Sequence, residues 1–269
     1  MKALSRIYTA LVFVFLYAPI AVLILFSFNS TNSTGVFAGF STYWYSELFS
    51  NSAALNALKN TLILASLSAV ISTLIGTAAA TGISKFRHRS TKNALMSVTN
   101  IPMMNPDIVT GISMMLLFVF IGRALGFASN LSFWTLLIAH ITFNIPYVIL
   151  NVLPKFSQMD EHLPEAAMDL GCTPLKSFFM VELPSILPGI VSGFIMAFTL
   201  SIDDFIISHF TTSGFETLPI FIYSMTKKKV KPDMYALSTI IFVIILVLLL
   251  ISNFLSSKGA EKQKRKNNS

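Results

Sequence analysis

A single cysteine, Cys172, stands in 269 residues, so no disulfide closes within the chain and no cysteine-rich metal site forms. Charge is scarce as well. Asp, Glu, Lys and Arg together make up 12% of the sequence, about half the share found in soluble domains. Such a chain lacks the polar side chains to cover a water-facing surface. There is no phosphate loop of the form G-x-x-x-x-G-K-S or G-x-x-x-x-G-K-T, which removes that device for cradling ATP. His162 and Glu165 do not complete an H-E-x-x-H zinc pattern. The apolar stretches carry no Ser/His pair and no two aspartates on separate helices in a protease-like setting. No catalytic residue, metal or cofactor is therefore expected of this chain itself.

What is present is apolar. Hydrophobic residues make up 54% of the chain, in long blocks rather than at the periods of half-buried elements. A helix needs about 20 apolar residues to cross the hydrocarbon core. Six stretches qualify: 7–28, 58–83, 97–121, 133–153, 186–208 and 236–255. This predicts an all-α membrane protein with about six transmembrane helices and one membrane domain, 1–257, surrounded by lipid. Lys2 and Arg6 precede the first stretch, but its length exceeds a signal core and no small-x-small cleavage site follows, so it is expected to be retained.

The net charge of +7 has no aromatic-interleaved basic face to offer nucleic acid. It fits a positive-inside bias instead. With the N-terminus cytoplasmic, thirteen basic residues fall inside: Lys2, Arg6, Lys85, Arg87, Arg89, Lys92, Lys155, Lys176, Lys258, Lys262, Lys264, Arg265 and Lys266. Six fall outside: Lys59, Arg123, Lys227, Lys228, Lys229 and Lys231. Both termini are thus expected in the cytoplasm, and 258–269 reads as a disordered basic tail. Asn29-Ser30-Thr31 and Asn32-Ser33-Thr34 fit the glycosylation pattern but read more simply as a turn. The aromatic-rich stretch 39–49 reads as an interfacial element, where Trp and Tyr rings settle.

The segment 154–185 is too polar to span. Pro164 suits the first turn of a helix, and Gly171 suits the left-handed position just past its end. Thr173-Pro174 offers an N-cap and first-turn pair for a second short helix, which Pro184 is expected to stop. Two short helices held between two spans make a protruding knob.

Glu165-Ala166-Ala167, then Gly171, then Val181-Glu182-Leu183-Pro184 at this spacing resembles the EAA motif of ABC-importer permeases, with Val181 where the family usually has Ile. Further likeness to the spermidine/putrescine permeases of that family lies in Trp44-Tyr45, Asn105-Pro106-Asp107-Ile108-Val109, Ser201-Ile202-Asp203-Asp204, Thr217-Leu218-Pro219 and Ile222-Tyr223-Ser224-Met225. Tyr235-Ala236 departs from the usual Asn-Ala. The resemblance implies a MetI-like type I importer fold in a bacterial inner membrane. It implies Glu165, Ala166, Ala167, Gly171, Leu183 and Pro184 as the coupling helix that docks on a cytoplasmic ATPase. The implied partners are a second homologous permease, two ATPase subunits that hold ATP and Mg, and an external binding protein. Polyamine import is the expected function. A permease for thiamine, ferric iron or an amino acid derivative stays open, as does an ion-coupled secondary transporter.

Three acidic residues fall within the expected spans: Asp107, Asp203 and Asp204. A carboxylate at mid-bilayer costs about 2.5–3.5 kcal/mol or more, so each should face a bundle interior or a watery path. At 1.5 Å per residue, Asp107 lies about 15 Å deep and Asp203 about 25 Å from the inner face, an acidic ladder suited to a polycation. Asp204 shares a helical stripe with Ser201 and Ser208 and is expected to face the pore. For Asp203 and Asp107, bonding to a neighbouring helix or helix-end capping stand open beside a place on the path. His140 and Asn144, one turn apart before Pro146, are read as interhelical hydrogen bonders. Lys227, Lys228, Lys229 and Trp44 are expected to dock the binding protein.

Overall fold

With no water in the bilayer to satisfy backbone groups, a chain this apolar must close its hydrogen bonds within each segment. The computed structural model describes residues 2–31, 33, 35–86, 88–126, 131–160, 162–227, 233–247 and 249–250, and among them the only strand-like pairing is an isolated bridge, Asn29–Phe40. The helices are α1 (Lys2–Ser27), α2 (Tyr43–Ser50), α3 (Ser52–Ser84), α4 (Arg89–Met104), α5 (Asp107–Ala124), α6 (Phe133–Gln158), α7 (Leu163–Asp169), α8 (Pro174–Ser177), α9 (Leu183–Asp203), α10 (Ile206–Thr211), α11 (Leu218–Thr226) and α12 (Asp233–Val247). They fall into two compact units: Met1–Leu58 with Phe221–Val247, and one built around Lys59–Ile220.

Among the described residues five helices are long and apolar enough to cross a bilayer: Ser5–Ser27, Ser52–Ser84, Asp107–Ala124, Phe133–Gln158 and Pro174–Asp203. The sixth expected stretch is represented by the shorter apolar α12; residues 248 and 251–255 of that stretch, and the tail 258–269, lie outside the described residues. Two expected spans are redrawn. The stretch 97–121 is two helices, because Asn105-Pro106 leaves the helical region and a new helix starts at Asp107. The stretch 186–208 ends as a helix at Asp203, where Asp204 turns extended.

In the first unit, the apolar stretch of α1 has almost no buried side chain among the described residues. Beyond it Asn29 is fully buried and organises the following loop. Its amide donates to the Ser33 and Val36 carbonyls, and its side-chain oxygen accepts from Ala38 N–H. The indole of Trp44 donates to the Asn29 carbonyl at 2.7 Å. The first glycosylation-like triplet is therefore a turn with no free amide to modify.

In the second unit the centre is the α6–α9 pair. A Cβ built on Gly189 would lie 2.7 Å from the Asn151 carbonyl oxygen and 3.2 Å from Val152 Cα, and one on Gly193 would lie 3.3 Å from Val148 Cα. Only hydrogen at these two positions, one turn apart, lets the backbones approach so closely. Val148, Val152, Ile186 and Ala197 fill the buried seam alongside Ala69 and Ala80 of α3.

Replacing Gly189 by Val should force α9 off α6, costing about 1–3 kcal/mol or more as overpacking does. Gly82→Ala, where nothing lies within 4 Å of an added Cβ, should leave stability unchanged or slightly raised. Thermal unfolding of the purified variants in detergent checks both outcomes.

Candidate functional site

The segment between α6 and α9 folds as its local chemistry dictates. Pro164 lies in the first turn of α7. At its other end Gly171 takes φ +89°. Gly171 N–H then bonds the Met168 carbonyl and Cys172 N–H the Ala167 carbonyl, the paired bonds of a Schellman cap. The Thr173 hydroxyl accepts from Lys176 N–H and opens α8. Buried Ser177 donates to the Pro164 carbonyl at 3.1 Å and pins the two short helices together. Glu165 and Ala166 are exposed on the resulting knob and Ala167 is half-buried.

The knob also carries what the residue pattern did not single out, a set of bare apolar side chains. Leu170 is 88% exposed and Leu175 71%, with Leu163 and Met168 beside them.

Pro184 does not stop the second helix. Phe178–Glu182 widens into a π turn, with Leu183 N–H reaching back to the Phe178 carbonyl, and α9 follows without a gap. One helical run therefore extends over Pro174–Asp203. The widened turn lets Leu183 and Pro184 serve as the first residues of α9, where proline's missing donor costs nothing. Leu183 is half-buried and Pro184 exposed.

At the far end of that run the two aspartates part company. Asp203 is exposed. Asp204, its side chain 9% exposed, lies 3.4 Å from His140 Nε2. It also accepts from the Ile207 and Ser208 N–H groups at 3.2 and 2.8 Å, capping α10. His140 Nε2 lies 3.0 Å from Ser208 Oγ as well.

A second knot sits one turn inward. Asn144 donates to Ser201 Oγ at 2.8 Å, and Ser201 shares a 2.9 Å bond with Ser68 of α3. The expectation that Asp204, Ser201 and Ser208 form a pore-facing stripe is corrected: all three turn inward. That expectation presumed a continuous helix through Asp204, and the break rotates the following turn. His140 and Asn144 are the interhelical bonders expected of them.

Nor are the acids a ladder. An added Cβ on Gly111, one turn past Asp107, would lie 3.5 Å from the Ile206 carbonyl oxygen and Ile207 Cα. The start of α5 thus lies against the start of α10. Asp107 is exposed in the first turn of α5 without a capping bond, and half-buried Tyr147 packs against the buried cluster of Ala139, Phe143 and Ile207 beside the start of α10. The break before α5 and the break before α10 bring two exposed carboxylates and an aromatic ring to one level.

Of the residues expected to dock a binding protein, Trp44 is buried and committed to Asn29. Lys227 lies 4.6 Å over the Tyr223 ring, and Lys228 and Lys229 lie outside the described residues.

Residues 72–258 match the family described as the inner membrane component of binding-protein-dependent transport systems. The chain is 38% identical over 253 residues to the putrescine transport system permease protein PotI of Escherichia coli K12, covering 94% of this chain and 90% of the relative. It is 38% identical over 246 residues to the spermidine/putrescine transport system permease protein PotC of the same strain, covering 91% and 90%. Among solved structures, a bacterial ABC transporter involved in the import of the acidic polysaccharide alginate superposes with a TM-score of 0.72 at 16% identity, over 96% of this chain and 95% of that one. This last likeness speaks for the fold alone.

Truncating Asp204 to Ala should remove the α10 cap and leave buried His140 without its carboxylate, lowering stability by about 3 kcal/mol. Asp203→Asn should melt within about 0.5 kcal/mol of the unaltered protein, as surface changes do. Parallel thermal melts in detergent separate the two positions.

Proposed function

Because the chain belongs to the family of inner membrane components of binding-protein-dependent transport systems, we propose that it is the permease subunit of an ATP-driven importer whose cargo is a polyamine. The observation that carries the first part is the knob. It presents Glu165 together with Leu163, Met168, Leu170 and Leu175 to solvent, and apolar side chains bared together on a protruding element mark a docking surface. An ATPase subunit is the occupant, and it holds the ATP and Mg. A second permease completes the pathway and an external binding protein delivers the cargo. Both termini lie in the cytoplasm, which puts the knob on the side where ATP is found.

The relatives' names support the cargo, and so does the chemistry at the helix breaks. Amines protonated at neutral pH seek carboxylates as charge-assisted partners and aromatic faces as weaker ones. Asp107, Asp203 and Tyr147 offer both at one level. The acids are exposed in a single chain, where a second permease would enclose them and strengthen their attraction. Lys227, placed outside, would repel a free polycation but attract an acidic rim on the delivering protein.

The decisive measurement is uptake of labelled putrescine and spermidine by proteoliposomes containing the whole transporter. ATP-dependent uptake of either supports the reading; a transporter that moves thiamine or ferric iron instead would remove it. Asp107→Asn and Asp203→Asn should each lower polyamine uptake about tenfold, the worth of one charged hydrogen bond, with assembly intact. Normal uptake by both would leave the acids without a role. Glu165→Lys combined with Gly171→Asp should abolish co-purification of the ATPase while membrane insertion continues. For topology, in a Cys172→Ser background, an impermeant thiol reagent on intact cells should label a cysteine at position 227 and spare one at position 92.

A further inference from the structure

Lys85 stands where α3 leaves the membrane domain, and the π turn Phe178–Glu182 stands where the knob enters it. The Lys85 ammonium lies 3.4 Å from Glu182 Oε1, at the last residue of the turn. It also lies 5.9 Å from the centre of the Phe178 ring, at the first. One side chain thus touches both ends of a five-residue π turn, a conformation rare in proteins and concentrated at functional sites. From this geometry we propose that Lys85 is a positioning residue: it clasps the π turn to the end of α3, so that a displacement of the knob moves α3 together with α9.

Burial makes the clasp hard to open. The Glu182 side chain is 7% exposed, and among the described residues its carboxylate has no other ion-pair or hydrogen-bond partner. A buried carboxylate left without its cation is costly, so α3 must follow the turn or the pair must break. The Lys85 side chain is 60% exposed and reaches Glu182 from an open cleft of about 720 Å³ that also meets Lys92, Asp160 and Glu165.

What α3 would carry is specific. Ser68 holds Ser201, one turn before the α9–α10 break. Further out, Thr61 accepts from Leu218 N–H at 2.7 Å, and Asn60 donates to the Glu216 carbonyl. The knob therefore acts on the acidic level by two routes, α9 by continuity and α3 through Lys85. The inference rests on the reading of the knob as the ATPase-docking element.

The test uses the complete transporter, with its ATPase and second permease, in proteoliposomes, and reads solute moved per ATP hydrolysed. Lys85→Met keeps the stem and removes the charge. It should retain the ATPase at the normal ratio, hydrolyse ATP within twofold of the unaltered rate, and move about fivefold less putrescine per ATP, as loss of a one-sided exposed pair predicts. The reversed pair, Lys85→Glu with Glu182→Lys, should recover at least half of that loss. A normal ratio in Lys85→Met overturns the clasp. So does a loss that the reversed pair, purified as an intact complex, does not recover. Should the reversed pair fail to assemble, the ratio in Lys85→Met decides alone, because that side chain is largely exposed. If the unaltered chain captures no ATPase, the underlying reading fails instead, and the two failures are told apart by that control.

Discussion

The close approach of α9 to α6 at Gly189 and Gly193 is the contact on which the rest of the second unit depends. Between helices in lipid there is no water to expel, so packing and hydrogen bonding must hold them together. Two glycines one turn apart bring the α9 backbone onto Asn151, Val152 and Val148. That proximity sets Ser201 within reach of Asn144, and Ser68 of α3 joins them. Farther along the same pair, His140 of α6 meets Asp204 and Ser208. Were the two helices separated by ordinary side chains, neither buried knot could close.

Those knots explain why a membrane helix tolerates a break. When α9 ends at Asp203, the following turn exposes backbone donors that lipid cannot satisfy. Asp204 accepts two of them, Thr135 of α6 donates to the Thr211 carbonyl at the far end of α10, and His140 steadies the carboxylate. The cost of burying an acid is offset by the groups it serves, and this leaves its neighbour Asp203 exposed. Two adjacent aspartates thus have separate work: one builds the break, the other is presented by it.

The parts of the fold legible in the sequence were those decided locally. Pro164, Gly171 and Thr173-Pro174 each impose a backbone geometry on their own turn, and the knob follows from them whatever surrounds it. The long apolar blocks likewise announced spans. What escaped was decided by tertiary contacts. Pro184 reads as a stop, but a π turn absorbs it. Trp44 reads as an outward-facing aromatic, yet Asn29 gives its indole a buried acceptor. The stripe through Ser201, Asp204 and Ser208 presumed helical continuity that a single extended residue removes. The glycine pair was visible as Gly189-x-x-x-Gly193, a known signature of tight helix crossing.

The helical run Pro174–Asp203 has a consequence of leverage. Pro188, inside α9, costs it a backbone bond but not its continuity. Its tightest hold on its neighbour is the glycine pair, which divides it into arms of about 25 Å toward the knob and about 18 Å toward Asp203. A rigid body turned about such a fulcrum swings its two ends in opposite directions. A push that drives the knob end of the run toward the α6 side would carry its Asp203 end away from that side, over about seven-tenths of the distance, as the ratio of the arms requires. Pulling in at one face and opening at the other need no separate machinery when one crossing point serves both.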